Sequence, residues 1–335
     1  MTFVGDSTNL IHVYGWGASG KSVLLTLIDD HEEILPIHIH DKITSDLCKM
    51  PSKIDNTSII QNIKSTLITG YKNFKLLSHI GHFNVIMSAS KSDILSIPFN
   101  LNYRNFEDNW MKSISPTNYT AQNIAKQIYA SFYQNLNNSN YSNSKSQKCK
   151  YICTMANPRN DNLDMMFTVY PNSKFVLIKR DILKTFYSRS NRPQLHGFKQ
   201  NYLKRNFFYQ VINGDVCRLN LLYLKFDKLC SFNPNQYITI DFEDLVCNSQ
   251  SVIAKFYKFL EIKPKEFDNL PTIYGVPIIK DGKSYIGKVN DPKIKFSFNY
   301  ILIFFIVCLF KHKYICIIYL SLLRYLKIFL NVIKR

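Results

Sequence analysis

The sequence predicts an α/β fold, a three-layer α/β/α arrangement of the P-loop type around a central, mostly parallel sheet. Two observations lead to this prediction. Short apolar runs that suit buried strands alternate with stretches of helical periodicity, as in successive βαβ units. The first apolar run leads directly into a glycine-rich turn and then a helix. A third feature, a hydrophobic and basic C-terminal segment, predicts a helical tail outside this fold.

The predicted elements follow one another in the order that a parallel sheet requires. Continuous apolar runs predict buried strands at 10–14, 34–39, 151–154, 174–179 and 237–240. Apolar spacing of three to four predicts helices at 21–29, 120–134, 161–169, 182–189, much of 199–230, and 249–260. Ligands of such sheets bind at the carboxyl ends of the strands, so we expect the functional residues to lie there.

The turn after the first strand matches the phosphate-loop pattern G-x-x-x-x-G-K-[ST] at Gly15, Gly20, Lys21 and Ser22. Glycines allow the backbone to curl so that successive N–H groups point at one anion. The helix that follows adds the positive end of its dipole, and Lys21 adds a full charge. The sequence therefore predicts that this loop holds a phosphorylated ligand.

The composition indicates an anionic partner without identifying it. The net charge is +18, but no zinc-finger spacing, RNA-recognition motif or helix-turn-helix signal is present, so we expect no nucleic acid partner. Eight scattered cysteines without a C-x-x-C pair suit reduced thiols in the cytoplasm. A strand that begins about ten residues from the first methionine leaves no room for a usual secretory signal.

We divide the chain into an α/β domain at 1–295 and a tail at 296–335. Residues 45–150 show no regular α/β pattern and read as a divergent insert, with an exposed loop near 135–150. In the tail, polar positions from Ser321 to Lys334 recur every three to four residues, and Lys311 and Lys313 interrupt the apolar run. This pattern favours an interfacial amphipathic helix with peripheral membrane contact. Packing on the domain or a partner chain, and a poorly selected extension, are the alternatives.

A second polar pair follows the strand at 174–179. Arg180 comes directly after this strand, where its guanidinium can bind a phosphate with two hydrogen bonds. Ser188 follows eight residues later, on the next predicted helix, and can donate a hydroxyl to the same group.

With the loop, this pair resembles the sulfotransferases that use 3′-phosphoadenosine 5′-phosphosulfate (PAPS). Their first signature, S-G-T-[ST], corresponds to 19–22, and their second, a strand followed by Arg and then Ser, corresponds to Arg180 and Ser188. Further similarities are the segment 27–31 after the loop, the lead-in at 170–174, and the segment 281–288, which resembles a loop that covers substrate or cofactor. The segment 241–245 is also similar, and we interpret it as capping and packing. The resemblance spans roughly 8–290, with a gap over 45–150, which by the resemblance would be a divergent, acceptor-binding insert.

The resemblance implies roles for individual residues. The 5′-phosphosulfate would be held by the loop, and the 3′-phosphate by Arg180 and Ser188; the loop residues concerned are Gly17, Ala18, Ser19, Gly20, Lys21 and Ser22. Two residues depart from the family pattern. Ala18 stands where many members carry Lys or Arg, and Lys21 stands where they usually carry Thr, so that Lys21 restores the charge. The second departure makes the loop more similar to those of ATP-binding proteins.

Sulfuryl transfer also needs a base and a cation near the leaving oxygen. Lys21 suits the cation. His38 matches the position of a catalytic glutamate in the protein-tyrosine sulfotransferases, and His40 lies on the same side of the predicted strand. The H-x-H spacing also suggests a metal pair, but without further ligands we expect no metal. His79 and His82 are a second candidate pair for the base.

Three functions therefore compete. The first is a PAPS-dependent sulfotransferase acting on a hydroxyl or amine of a carbohydrate, lipid or small molecule. The second is a P-loop kinase or NTPase that transfers a phosphoryl group from ATP, for which Asp181 and Asp241 are the candidate magnesium ligands. The third is a non-enzymatic, basic membrane-surface protein with a degenerate nucleotide site. The paired loop and Arg180 favour the first.

Overall fold

The structure of the protein is a computed structural model. It describes residues 8–16, 19–38, 43–48, 82–86, 94–113, 120–136, 148–156, 163–190, 213–265, 271–278, 309–310 and 312–333. In chain order the elements are β1 (Asn9–Tyr14), α1 (Lys21–Ile28), β2 (Ile34–Pro36), α2 (Ile43–Leu47), β3 (His82–Ile86), β4 (Ile94–Pro98), α3 (Tyr103–Ser113), α4 (Ala121–Gln134), β5 (Tyr151–Met155), α5 (Leu163–Val169), β6 (Lys174–Lys179), α6 (Ile182–Ser190), α7 (Asp215–Phe232), β7 (Tyr237–Asp241), α8 (Phe242–Cys247), α9 (Ser249–Leu260), β8 (Thr272–Ile273), β9 (Val276–Pro277) and α10 (Lys313–Ile333).

The central sheet has five strands in the order β2-β5-β1-β6-β7, and each of its pairings is parallel. The register sets Val13 of β1 level with Met155 of β5 and Val176 of β6. All five predicted strands are therefore present. The second strand is shorter than predicted and ends at Pro36, although the N–H of Ile37 still donates to Cys153 at 2.8 Å.

Two apolar layers cover the sheet, one on each face. Alternate residues of β1 point to opposite faces, so that Leu10 and Tyr14 join one cluster while Ile11 and Val13 join the other. The first cluster contains side chains of α3, α4 and α7, and the second contains side chains of α1 and α9. This confirms the predicted three-layer α/β/α architecture.

His12, in the middle of β1, is fully buried between aromatic rings. Its ring centroid lies 5.0 Å from that of Tyr170 and 5.3 Å from that of Phe175, and its Nδ1 lies 3.3 Å from the hydroxyl of Thr154. Burial disfavours the charged imidazolium, so the pKa of His12 is lowered to about 3. His12 is thus a neutral part of the core.

Part of the predicted insert packs directly on the main domain. Phe106, Trp110 and Phe132, from α3 and α4, belong to the same apolar cluster as the sheet residues Leu10 and Tyr14. The hydroxyl of Tyr133 in α4 donates to the carbonyl of Pro36. The described part of this region therefore shares its core with the sheet and lies beside the end of β2.

The C-terminal helix α10 packs against α7. Asn220 Nδ2 of α7 donates to the carbonyl of Phe310 at 2.7 Å, and the Cys316 thiol donates to the same carbonyl at 2.8 Å. The predicted helical tail is therefore present. Within the described part of the chain, no helix combines the length and apolar character that crossing a membrane requires.

Candidate phosphate-binding site

The parallel sheet brings the ends of five strands to one edge of the molecule. There the chain continues from β1 into the glycine-rich loop, from β5 into Ala156, from β6 into Arg180 and from β7 into Phe242. His38 follows β2, at the outer end of the same edge. The sheet thus places the predicted phosphate loop between β5 and β6, next to the strand that carries Arg180.

The glycines at both ends of the loop are required by its backbone. Gly20 has φ +101°, and a Cβ at that position would lie 2.2 Å from the ring of Phe242. Gly15 has φ +153°, and its Cβ would lie 2.3 Å from the Ser19 hydroxyl. Between them, the N–H of Ser19 donates to the carbonyl of Trp16 at 3.0 Å. Gly17 and Ala18 lie outside the described residues, so their predicted contacts stay a prediction.

The start of α1 carries the features of an anion site. Its first turn contains no acidic residue, and the positive end of its dipole points at the loop; the N–H groups of Val23 and Leu24 donate to the carbonyl of Gly20 at 2.9 and 3.2 Å. The Ser19 side chain, directly before Gly20, is fully buried, and its hydroxyl has no hydrogen-bond partner among the described residues. A buried hydroxyl in that state costs free energy unless a ligand engages it.

Lys21 is held inside the edge rather than extended into solvent. Its ammonium donates to the carbonyl of Gly15 at 2.5 Å and to that of Ala156 at 2.8 Å. These bonds join the loop to the end of β5 and fix a positive charge beside the loop backbone. The neighbouring Ser22 is exposed, and its hydroxyl lies 3.7 Å from the sulfur of Met155.

Arg180 is buried and reaches the loop through one aromatic ring. Its guanidinium carbon lies 4.3 Å from the ring centroid of Phe242, a cation–π contact, while the same ring packs on Gly20. Phe242 therefore lies between the two halves of the predicted site. The sequence predicts packing and helix capping for the segment 241–245. Phe242 does pack, but Asp241 makes no side-chain capping bond at the start of α8.

Tyr223 of α7 fixes the backbone of Arg180. Its hydroxyl accepts a hydrogen bond from the Arg180 N–H at 3.1 Å and donates one to the Arg180 carbonyl at 2.9 Å. The tyrosine is nearly fully buried, and this desolvation raises its pKa well above the usual range, so the phenol stays neutral. Nothing in the local sequence of α7 marks Tyr223 for this contact.

Ser188 lies half-buried on the second turn of α6, the helix that follows Arg180. Asp181 caps this helix, because its carboxylate accepts from the N–H of Lys184 at 2.9 Å. The predicted pair therefore lies on one continuous strand-to-helix unit, with Arg180 directly after β6 and Ser188 within α6.

His38 is buried beside a carboxylate to which the sequence analysis assigned no role. Its Nε2 lies 2.7 Å from Oδ1 of Asp29, the residue that follows α1. The other carboxylate oxygen accepts from the Thr272 hydroxyl and the Gly275 N–H, both at 2.8 Å, so the β8–β9 hairpin holds it. The ring of Tyr274 meets the His38 ring edge-on at 5.0 Å.

Because a carboxylate oxygen accepts, Nε2 of His38 is the nitrogen that carries the proton. No described residue hydrogen-bonds to its Nδ1. The side chains of His40, His79 and His82 lie outside the described part, so the structure does not test them or the H-x-H pair. Within the described ranges, no group of three or more His, Cys, Asp or Glu side chains is placed to hold a metal ion.

The family model that matches this chain and three solved structures that are similar to it are all of sulfotransferases. A family model described as the sulfotransferase family matches residues 94–266, a segment that contains Arg180, Ser188 and Phe242 but begins after the phosphate loop. No curated protein sequence matches the chain significantly.

Three solved structures share remote similarity with the chain. The sulfotransferase domain of the olefin synthase from Synechococcus PCC 7002 is 11% identical, with 78% of this chain and 77% of that chain covered and a TM-score of 0.38. The sulfotransferase domain from the curacin biosynthetic pathway is 15% identical, with 77% and 76% covered and a TM-score of 0.37. A sulfotransferase from Mycobacterium tuberculosis is 11% identical, with 77% and 69% covered and a TM-score of 0.38.

Proposed function

The chain belongs to the sulfotransferase family, because the model of that family matches more than half of its 335 residues, and from this premise we propose that it transfers a sulfuryl group from PAPS to a hydroxyl or amine acceptor. The observation that carries the proposal is the contact chain from Gly20 through the Phe242 ring to the Arg180 guanidinium. Through the Phe242 ring, the glycine-rich loop, which suits one phosphate, lies beside the Arg180 guanidinium, which suits a second phosphate.

The residues at the sheet edge fit a donor with phosphate groups at both ends of a nucleoside. Ser19 offers a buried hydroxyl, the start of α1 offers N–H groups without an acidic neighbour, and Lys21 offers a charge. These would hold the 5′-phosphosulfate, together with Gly17, Ala18, Gly20 and Ser22. Arg180 and Ser188 would hold the 3′-phosphate. When bound, the donor supplies the electrophilic sulfuryl group.

We assign His38 as the base. With Nε2 donating to Asp29, the lone pair of His38 is on Nδ1, which can take the proton of an acceptor hydroxyl. Asp29 fixes this tautomer and stabilises the imidazolium that forms, and the β8–β9 hairpin keeps Asp29 in place. His40 stays a second candidate for the same role. Lys21 would stabilise charge on the leaving oxygen.

A kinase or NTPase is the competing assignment, because the loop matches the phosphate-loop pattern in full. Such enzymes need an acidic residue at a strand end to hold magnesium. The Asp181 carboxylate is engaged as the cap of α6, and Asp241 is exposed at the end of β7. The capping bond of Asp181 favours the sulfotransferase, and Asp241 is the magnesium ligand that the competing assignment would need.

Thermal stability measured with two nucleotides separates the two assignments. A ligand at a hundred times its Kd stabilises a protein by about 2.7 kcal/mol, which is a clear shift in Tm. We expect 3′,5′-ADP, the nucleotide product of PAPS, to stabilise the wild type without magnesium and to lose this effect in Arg180→Ala. Stabilisation by magnesium-ATP alone, unchanged in Arg180→Ala, would contradict the proposal.

The base is tested separately with His38→Gln. We expect this variant to bind 3′,5′-ADP like the wild type while transfer of labelled sulfate from PAPS to a panel of hydroxyl acceptors is lost. Wild-type transfer rates in His38→Gln would exclude His38 as the base and leave His40 as the candidate.

A further inference from the structure

Over residues 313–323, the part of helix α10 whose side chains the structure describes, the helix contacts the rest of the chain through one side. Cys316 is buried, and Tyr319 and Leu320 pack against the main apolar cluster. Leu320 lies so close to Gly214, at the start of α7, that a Cβ there would be 2.5 Å from it. The helix is therefore docked, and its orientation on α7 is fixed by these contacts.

The opposite side of this stretch faces solvent and is apolar except for Ser321. Tyr314, Ile318 and Leu322 follow one another at a spacing of four and are 78%, 60% and 58% exposed. Ile315 and Ile317 flank them and are also exposed. A surface helix of a globular protein usually turns its apolar stripe to the core, so these five residues, which we call the outer face, indicate a partner.

The charge of the C-terminal sequence indicates what kind of partner fits the outer face. Beyond Asp291 the sequence contains no acidic residue. It contains eight basic ones, which are Lys293, Lys295, Lys311, Lys313, Arg324, Lys327, Lys334 and Arg335. A C-terminal sequence that combines an exposed apolar stripe with basic residues and no acidic ones is complementary to a surface that combines negative charge with hydrocarbon.

We propose that the outer face of α10 docks on an acidic phospholipid surface, with the helix lying in the interface. A second copy of the chain is a poorer occupant, because each C-terminal sequence carries eight basic residues and no acidic one, so two copies would repel each other. Anionic headgroups remove that repulsion, while Tyr314 suits the boundary between headgroups and acyl chains.

The two native tryptophans make a direct test possible. Trp16 and Trp110 are the only tryptophans of the chain, and both are buried in the domain. The full-length variant Ile318→Trp therefore adds one exposed reporter on the outer face. Phe232→Trp is the matched control, because Phe232 is 75% exposed at the far end of α7 and lies outside the outer face.

The variants are mixed with phosphatidylserine–phosphatidylcholine vesicles and with phosphatidylcholine vesicles. We expect a blue shift of the emission of Ile318→Trp with the acidic vesicles, a smaller one with the neutral vesicles, and none for Phe232→Trp. In sedimentation, replacing Ile318 and Leu322 by Asp should reduce the bound fraction at least about tenfold, because each loses the burial of a large apolar side chain.

Three results would overturn the proposal. Equal shifts with acidic and neutral vesicles would remove the role of charge. A shift that appears without vesicles as the protein concentration rises would identify a second copy as the occupant. No shift under any condition would mean that the outer face binds neither phospholipid vesicles nor a second copy of the chain. Binding of 3′,5′-ADP is independent of these outcomes, so the inference can fail while the proposed function stands.

Discussion

Phe242 packs on the phosphate loop, so the loop glycine and this ring should be energetically coupled. The perturbation is Gly20→Ala, alone and combined with Phe242→Ala. In the single variant, the new methyl group must avoid a ring carbon only 2.2 Å from the ideal Cβ position, at a backbone φ of +101°. In the double variant the ring is gone, so only the backbone strain remains.

The expected magnitudes follow from these two terms. A left-handed backbone costs a residue with a Cβ about 1–2 kcal/mol, and overpacking costs about 1–3 kcal/mol, so Gly20→Ala should lose about 2–5 kcal/mol of stability. Phe242 is partly buried, and Phe242→Ala should lose about 1.5–3 kcal/mol. Since the double variant does not suffer the overpacking term, it should be more stable than the sum of the two losses by about 1–3 kcal/mol.

Urea unfolding of the wild type, both single variants and the double variant measures this coupling. A matched cycle pairs Phe242→Ala with Gly214→Ala, because Gly214 also has a positive φ but contacts Leu320 and Leu323 instead. The control cycle should be additive to within about 0.5 kcal/mol. If the Gly20 cycle were equally additive, Phe242 would not hold the loop, and the contact chain to Arg180 would lose its basis.

Three further predictions concern buried polar groups. Tyr223→Phe leaves the Arg180 N–H and carbonyl without the hydroxyl that bridges them, so unfolding free energy should fall by about 1–3 kcal/mol, and an unchanged value would refute this bridge. In Asp29→Asn, the side-chain NH2 group replaces one of the two oxygens that accept from His38, Thr272 and Gly275, so a donor faces a donor. The unfolding free energy should fall by about 1–3 kcal/mol in the same assay, and wild-type stability would show that the carboxylate is not needed. Because the pKa of His12 is lowered to about 3, the unfolded chain binds a proton below pH 6.5 that the folded chain does not. Stability should therefore fall by about 2 kcal/mol more in wild type than in His12→Phe between pH 7 and pH 5, and equal losses would contradict the burial argument.

The parts of the fold that the sequence predicted have strong local signals. Buried parallel strands are continuous apolar runs, which is why the strands at 10–14 and 174–179 agree closely with β1 and β6. The glycine-rich turn between β1 and α1 was predictable because glycines at this spacing, followed by Lys21 and a helix, are typical of strand-to-helix turns that bind anions, and its binding of a phosphate stays a prediction. The second strand was predicted too long, because the apolar run at 34–39 continues past the point where pairing with β5 ends.

The site residues that sequence reasoning missed depend on contacts across the chain. Asp29 is part of the site because β2 brings His38 next to the end of α1. The Thr272 hydroxyl, which also bonds Asp29, comes from a hairpin 243 residues away in the sequence. Tyr223 lies 43 residues from the backbone that it fixes. Phe242 was part of a noticed segment, but its contact with Gly20 requires that β1, β6 and β7 lie side by side in the sheet. Long-range packing, which no local pattern encodes, decides all three.

The central claim is that Arg180 recognises a 3′-phosphate next to the phosphate loop. The most direct measurement is calorimetric titration of wild type and Arg180→Ala with 3′,5′-ADP and with 5′-AMP, which lacks the 3′-phosphate. Hydrogen bonds to a charged group are worth about 1.5–3 kcal/mol, so the wild type should bind 3′,5′-ADP at least about tenfold more tightly than 5′-AMP. Arg180→Ala should lose most of this preference and keep only the part that Ser188 contributes. Equal affinity of the wild type for the two nucleotides would contradict the account.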